Sequence, residues 1–242
     1  MKSPIVPLAL ALALLLPACA RHDPQAEAAA AAAQAGARED AARQAAAAFD
    51  AAVAQQNWAL AKAQGDVLLA QYPDSQAAQR VRPQLEQVKA KAEAARELSR
   101  TAALWSYNRE PVKGGTQRSA SLYAKDDVDV DGSGAKPVRL IFRDHPSWGR
   151  SAYLVLQSGD FNCYGGCRVK VKIDDAPAKS MAASRPKTDE AIAMFINDEM
   201  ALWRMTAGAK RISVEFPVRA GGTRTATFEI AGLDRSKMPG WN

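Results

Sequence analysis

Two periodicities divide the chain. From Glu39 to Ala103 apolar residues recur every three or four positions, the spacing of one helix face. Phe49 and Val53 lie four apart on one such face. Gln56-Asn57 interrupts the pattern, and Trp58, Ala61, Gly65, Leu68 and Tyr72 mark a second face. Tyr72-Pro73-Asp74-Ser75 ends it, because the residue before a proline is pushed out of the α region. Asp74 or Ser75 is placed to cap a third helix, which carries Val81, Leu85, Val88, Ala92 and Leu98. Pro83 lies inside that span and predicts a kink or a late start.

From Trp105 onward the period becomes two. Arg168 to Asp174, Arg211 to Phe216 and Thr225 to Ile230 alternate polar and apolar residues, as half-buried strands do. Val138 to Phe142 and Ala152 to Leu156 read as buried strands, with weaker candidates at Trp105 to Arg109, Ser119 to Tyr123 and Ala191 to Ile196. Asp198 caps a short helix, Glu199 to Thr206, closed by Gly208. The expected fold is α+β. It is an N-terminal helical hairpin followed by an antiparallel β-sandwich or open barrel with one short helix.

The first residues carry an address. Lys2 precedes an apolar run from Ile5 to Leu16. At about 12 residues the run is too short to span a bilayer and fits the core of a secretory signal. It ends in Leu16-Pro17-Ala18-Cys19, which resembles the bacterial lipobox at Leu16, Ala18 and Cys19, with Pro17 in place of the usual Ala or Ser. The resemblance implies cleavage before Cys19 and lipidation of its thiol, palmitate being one of the acyl chains. In that family an aspartate after the cysteine favours the inner membrane. Ala20 stands there, so the expected location is the outer membrane, facing the periplasm. An ordinary signal peptide, with Cys19 incidental, is the rival reading.

The divisions are therefore a signal peptide at 1–18, an Ala-rich tether at 19–38, a helical segment at 39–104 and a β-domain at 105–242. The tether has high helix propensity but no large apolar residue to dock, so a solvated or frayed helix is expected. The helical segment resembles one tetratricopeptide hairpin through Trp58, Ala61 and Pro73, while Gly65 and Leu68 depart from that consensus. One such unit needs further packing, from the β-domain, a second copy or a partner. The β-domain resembles small domains of envelope and type VI secretion-associated lipoproteins through Trp105, Cys163, Asp174 and Phe228 with Gly232-Leu233. That resemblance implies an accessory or binding role and brings no catalytic residues.

Composition narrows the chemistry. The 242 residues carry a net charge of +6 and contain three cysteines and two histidines, His22 and His145. No phosphate-binding loop, dinucleotide fingerprint, zinc-protease motif or nucleophile elbow occurs. Cys163 and Cys167 bracket Tyr164-Gly165-Gly166, a loop that suits a hairpin tip. Facing residues of an antiparallel pair lie within disulfide range, so a Cys163–Cys167 staple is expected in an oxidising space. Zinc or redox use of the pair, or free thiols, are the alternatives. No cofactor is called for.

Charge is uneven. Positions 19–104 hold ten basic and ten acidic residues, whereas 105–242 hold 21 basic and 16 acidic. The β-domain therefore carries the positive balance, and extracytoplasmic polyanions, not nucleic acid, are its expected counterparts. Arg168, Lys170 and Lys172 project from one strand face about 7 Å apart, either as an anion stripe or as a solvated face. Tyr164 at the loop tip, with these basic neighbours, is the expected partner contact. The other aromatics, Trp105, Tyr107, Trp148, Tyr153 and Trp203, suit sugar stacking but are assigned to core and turns.

Asp144, His145 and Ser147 are adjacent in a Pro/Gly turn, where a surface histidine is expected and a catalytic triad is not. Asp127, Asp129 and Asp131 with Gly132 resemble a calcium loop, but Val138 stands where the bidentate glutamate belongs, so a solvated acidic turn is expected, with weak calcium binding as the alternative. The expected protein is a non-enzymatic, membrane-anchored envelope lipoprotein presenting its β-domain to an envelope protein or peptidoglycan. The alternative is an inhibitor or immunity protein that plugs a periplasmic hydrolase.

Overall fold

A computed structural model describes residues 23–186 and 192–241. Cys19, His22 and the signal segment lie outside the described residues. Two compact units share the chain, dividing between Lys89 and Ala90 rather than at Leu104. The division falls inside a continuous helix, which the change of period at Trp105 does not register.

In the first unit, helix α1 runs Pro24–Ala54 behind Asp23, whose carboxylate accepts from the Gln25 amide. Residues 24–38 of the alanine-rich tether form the opening half of this helix. Positions 24–38 are exposed, and burial begins in earnest at Ala42. Gln56 takes φ 55° and breaks the chain as expected. Asn57 then caps α2, Trp58–Gln71, by accepting the Leu60 amide at 3.1 Å. Helix α3 runs Gln76–Ala102, and of the two predicted caps Ser75 is used, its Oγ accepting from the Ala78 amide at 3.0 Å. Pro83 neither starts nor ends it. Val81, Leu85 and Val88 bury on both sides of the proline, and that packing outweighs one lost backbone hydrogen bond.

Phe49, Ala61, Leu68, Val81 and Leu85 form the core of this unit. Gly65 departs from the repeat consensus for a packing reason: a Cβ there would lie 2.7 Å from Leu85 Cδ1 and 3.2 Å from the Phe49 ring. Leu98, which follows the apolar spacing of α3 beyond this unit, is 55% exposed.

The second unit is one continuous antiparallel sheet of nine strands. They are β1 (Ser106–Val112), β2 (Gly115–Tyr123), β3 (Arg139–His145), β4 (Gly149–Val155), β5 (Cys167–Ile173), β6 (Lys179–Ser184), β7 (Ala193–Ile196), β8 (Arg211–Pro217) and β9 (Thr223–Glu229). Their order is β1-β2-β3-β4-β7-β6-β5-β8-β9, so β1 and β9 are edges and the sheet is not closed. It nevertheless curls: the Lys125 amide, just past β2, donates to the Thr227 carbonyl of β9 at 2.7 Å.

Alternation sets the two faces. Leu140 and Phe142, Ala152 and Leu154, Val169 and Val171, Val214 and Phe216 all point inward to a single core. Helix α4, Glu199–Met205, adds Leu202 and Trp203 to it and starts at Asp198 as predicted, its carboxylate accepting from Ala201 at 2.9 Å. Phe142 is the hub of an aromatic cluster, with Trp203 edge-on at 5.1 Å and Trp241 edge-on at 5.4 Å.

The short motifs of the β-domain are structural. Asp174 holds φ 45°, and its carboxylate accepts from the amides of Lys210 and Arg211, tying the end of β5 to the start of β8. Gly232 presses on the last turn of α3: a Cβ there would overlap the backbone of Thr101 and Ala102.

Candidate functional site

The segment after β4 builds the first candidate. Phe161 is fully buried against Phe216 and bridges to Val218, which anchors the chain beyond β8. Cys163 and Cys167 are disulfide-bonded, with Cα atoms 4.9 Å apart. They do not cap a hairpin tip. Cys163 belongs to no strand, Tyr164 bridges to Arg185 in the parallel sense, and the staple closes a tight turn that feeds β5. The expected hairpin fails because β5 pairs with β6 and β8, which leaves no free edge for the residues before Cys163.

Tyr164 is 39% exposed but does not stand free. Its hydroxyl donates to Asp160 Oδ2 at 2.9 Å. Asp160 also accepts from the Phe161 amide at 2.8 Å and from Arg185 Nε at 2.5 Å. Arg219 reaches the same carboxylate at 3.6 Å. The guanidinium carbons of Arg185 and Arg219 lie 5.1 and 5.9 Å from the Tyr164 ring centroid. Burial pushes the Asp160 carboxyl up, but hydrogen bonds from Arg185 and Tyr164 outweigh it and hold it below the usual carboxylate range. The hydrogen bond to Asp160, aided by desolvation, raises the Tyr164 phenol. Asp160, Arg185 and Arg219 come from three separate loops, so no local pattern marked them.

The basic stripe is partly engaged. Arg168 turns onto β6, donating to Ser180 Oγ at 2.6 Å and to the Ser180 carbonyl at 3.0 Å. Lys170 pairs across to Glu215 of β8 at 2.8 Å. Lys172 stands opposite Ser213.

His145 is not a surface residue. It is 7% exposed, closes β3, and its Nδ1 accepts from the amides of Ser147 at 3.1 Å and Trp148 at 3.3 Å. The histidine organises the turn, and the Trp148 ring stacks on it at 3.9 Å. Trp148 itself was assigned to packing and is 70% exposed. In the acidic turn Asp129 accepts from the Gly132 amide at 2.7 Å and Asp131 from the Ser133 amide at 3.0 Å, while Val138 lies in the core. Among the described residues no three His, Cys, Asp or Glu side chains converge as a metal site requires. No described helix is long and apolar enough to cross a membrane.

The chain matches no protein-family model, no curated protein and no solved structure.

Proposed function

We propose that this chain is a non-enzymatic envelope lipoprotein, anchored through acylated Cys19, that presents its β-domain to a periplasmic protein or cell-wall partner. One observation supports this most directly. Cys163 and Cys167 sit at disulfide distance, and such bonds persist in oxidising, extracytoplasmic space. The secretory segment and the Leu16-Pro17-Ala18-Cys19 run supply the route there. The turn carrying Tyr164, with Arg219 beside its ring, and the β5 stripe of Arg168, Lys170 and Lys172 offer contact surfaces, the turn being fixed by the disulfide and the Asp160–Arg185 pair.

Labelling cells with a palmitate analogue tests the anchor. The wild-type chain incorporates label and sediments with membranes, whereas Cys19→Ala does neither. An unprocessed, unlabelled chain in the cytoplasm rejects the reading. Reversing the charges of Arg168, Lys170 and Lys172 weakens crosslinking to the partner, and unchanged crosslinking removes the stripe from the contact surface.

A further inference from the structure

The outward face of β2, β3 and β4 carries a second arrangement. Arg139 and Arg143 project from it four positions apart, each two residues from Ile141. Arg139 donates to Ser121 Oγ at 2.7 Å, and its guanidinium lies 5.6 Å from the Tyr123 ring centroid. Arg143 donates to Ser151 Oγ at 3.2 Å, and its guanidinium lies 5.4 Å from the Trp148 ring and 5.3 Å from the Tyr153 ring. Among the described residues neither arginine has a carboxylate partner. Arg80, Arg100 and Arg185 show the contrast, each being paired with an acid. Two cations held on hydroxyls and rings leave their charge for something outside the chain.

The rings point the same way. Trp148 is 70% exposed and Tyr123 53% exposed, at opposite ends of β3, a separation of about 20 Å by strand rise. Trp148 is pre-set by its stack on His145, tilted only 13° from it. Tyr153 lies between them and is half-buried, and desolvation raises its phenol. These three strands are interior to the sheet, paired on both sides, so they offer no backbone groups to an added peptide strand. Recognition here must use ring faces, guanidiniums and hydroxyls. A polymer of sugar rings matches that set: its C–H faces stack on the exposed aromatics and its carboxylates pair with the arginines, whose aim the serine hydroxyls fix.

We infer that this face binds a carboxylated glycan strand, with Trp148 and Tyr123 as ring platforms and Arg139 and Arg143 as carboxylate clamps. The inference rests on the envelope reading for where such a strand is met, and its test is independent of the anchor. The purified full chain is titrated calorimetrically with three probes. They are peptide-stripped glycan strands bearing lactyl carboxylates, neutral dextran, and poly-glutamate.

The glycan strands bind and dextran does not. Trp148→Ala weakens glycan binding at least tenfold, and Trp148→Tyr restores most of it. The Arg139→Gln, Arg143→Gln pair weakens it at least as much, with circular dichroism confirming that the variants are folded. A Lys62→Gln change, on the exposed surface of α2, leaves binding unaltered. Absence of glycan binding, or binding indifferent to Trp148→Ala, overturns the inference. Poly-glutamate bound as tightly as the glycan, with the same response to the variants, overturns it in favour of an acidic polypeptide.

Discussion

Opening the Cys163–Cys167 bond tests the architecture of the first candidate surface. The bond closes a ring across a sequence separation of 4. Loop-closure entropy for so short a ring is worth about 2 kcal/mol. A domain of this size has a total stability of about 5–15 kcal/mol, so it stays folded when the bond is reduced. With a urea dependence of roughly 2 kcal/mol per M, the midpoint falls by about 1 M. Reduction is the cleaner perturbation, since both sulfurs stay in place; Cys163→Ser adds the cost of an unpaired hydroxyl at a position 1% exposed. Tryptophan fluorescence reports the β-domain, where Trp105, Trp203 and Trp241 are buried. A reduced domain that is unfolded without denaturant, or a midpoint that does not move, refutes the entropic account. Unfolding on reduction would mean that Phe161 and the Asp160–Arg185 pair do not anchor the turn, whereas an unmoved midpoint would mean that they hold it without the bond.

Three further outcomes follow from the packing. Gly232→Ala costs about 3 kcal/mol, the upper end of the overpacking range, because backbone at Thr101 and Ala102 must move; a thermal midpoint equal to that of wild type would show that the contact is slack. Asp160, whose carboxyl lies below the usual range when folded, contributes stability that is complete above the unfolded value of about 4 and is lost as pH falls through the folded value. The gap in urea midpoint between wild type and Asp160→Asn therefore narrows as pH drops from 7 toward 3, and a gap independent of pH contradicts this. Lys170→Ala costs less than about 1 kcal/mol, since the pair with Glu215 is solvent-screened at side-chain exposures of 63% and 33%; a loss of several kcal/mol by denaturation would show it to be structural.

Eight strands announced themselves in the sequence, and β6 did not. Its residues, Lys179-Ser180-Met181-Ala182-Ala183-Ser184, contain no β-branched or aromatic side chain. They form a strand because Met181 and Ala183 fill the inward face between β5 and β7, so tertiary packing overrides weak propensity. The capping signals at Ser75 and Asp198 were legible because they act within three residues. Cys163 and Cys167 were legible as a pair for the same local reason. The turn around them was not, since it depends on Phe161 reaching Val218 and Arg185 reaching Asp160 across 25 positions. His145 misled because Pro146 and Gly149 mark a turn correctly, while the burial comes from Trp148 folding back over the ring.

The same distinction explains why the basic stripe was visible and the arginine–aromatic face was not. Arg168, Lys170 and Lys172 share one strand, so period two alone puts them side by side. Arg139 meets Tyr123, and Arg143 lies beside Ser151 and Tyr153, only through the registers Arg139↔Tyr123 and Arg143↔Ser151 between neighbouring strands. A slip of one residue would turn both arginines into the core and Leu140 and Phe142 out to water. The burial of Phe142 among Trp105, Trp203 and Trp241 forbids that slip. The aromatic hub inside the sheet therefore fixes the cationic face outside it. A change that loosens the hub, such as Phe142→Ala, should disturb glycan binding from the opposite side of the sheet.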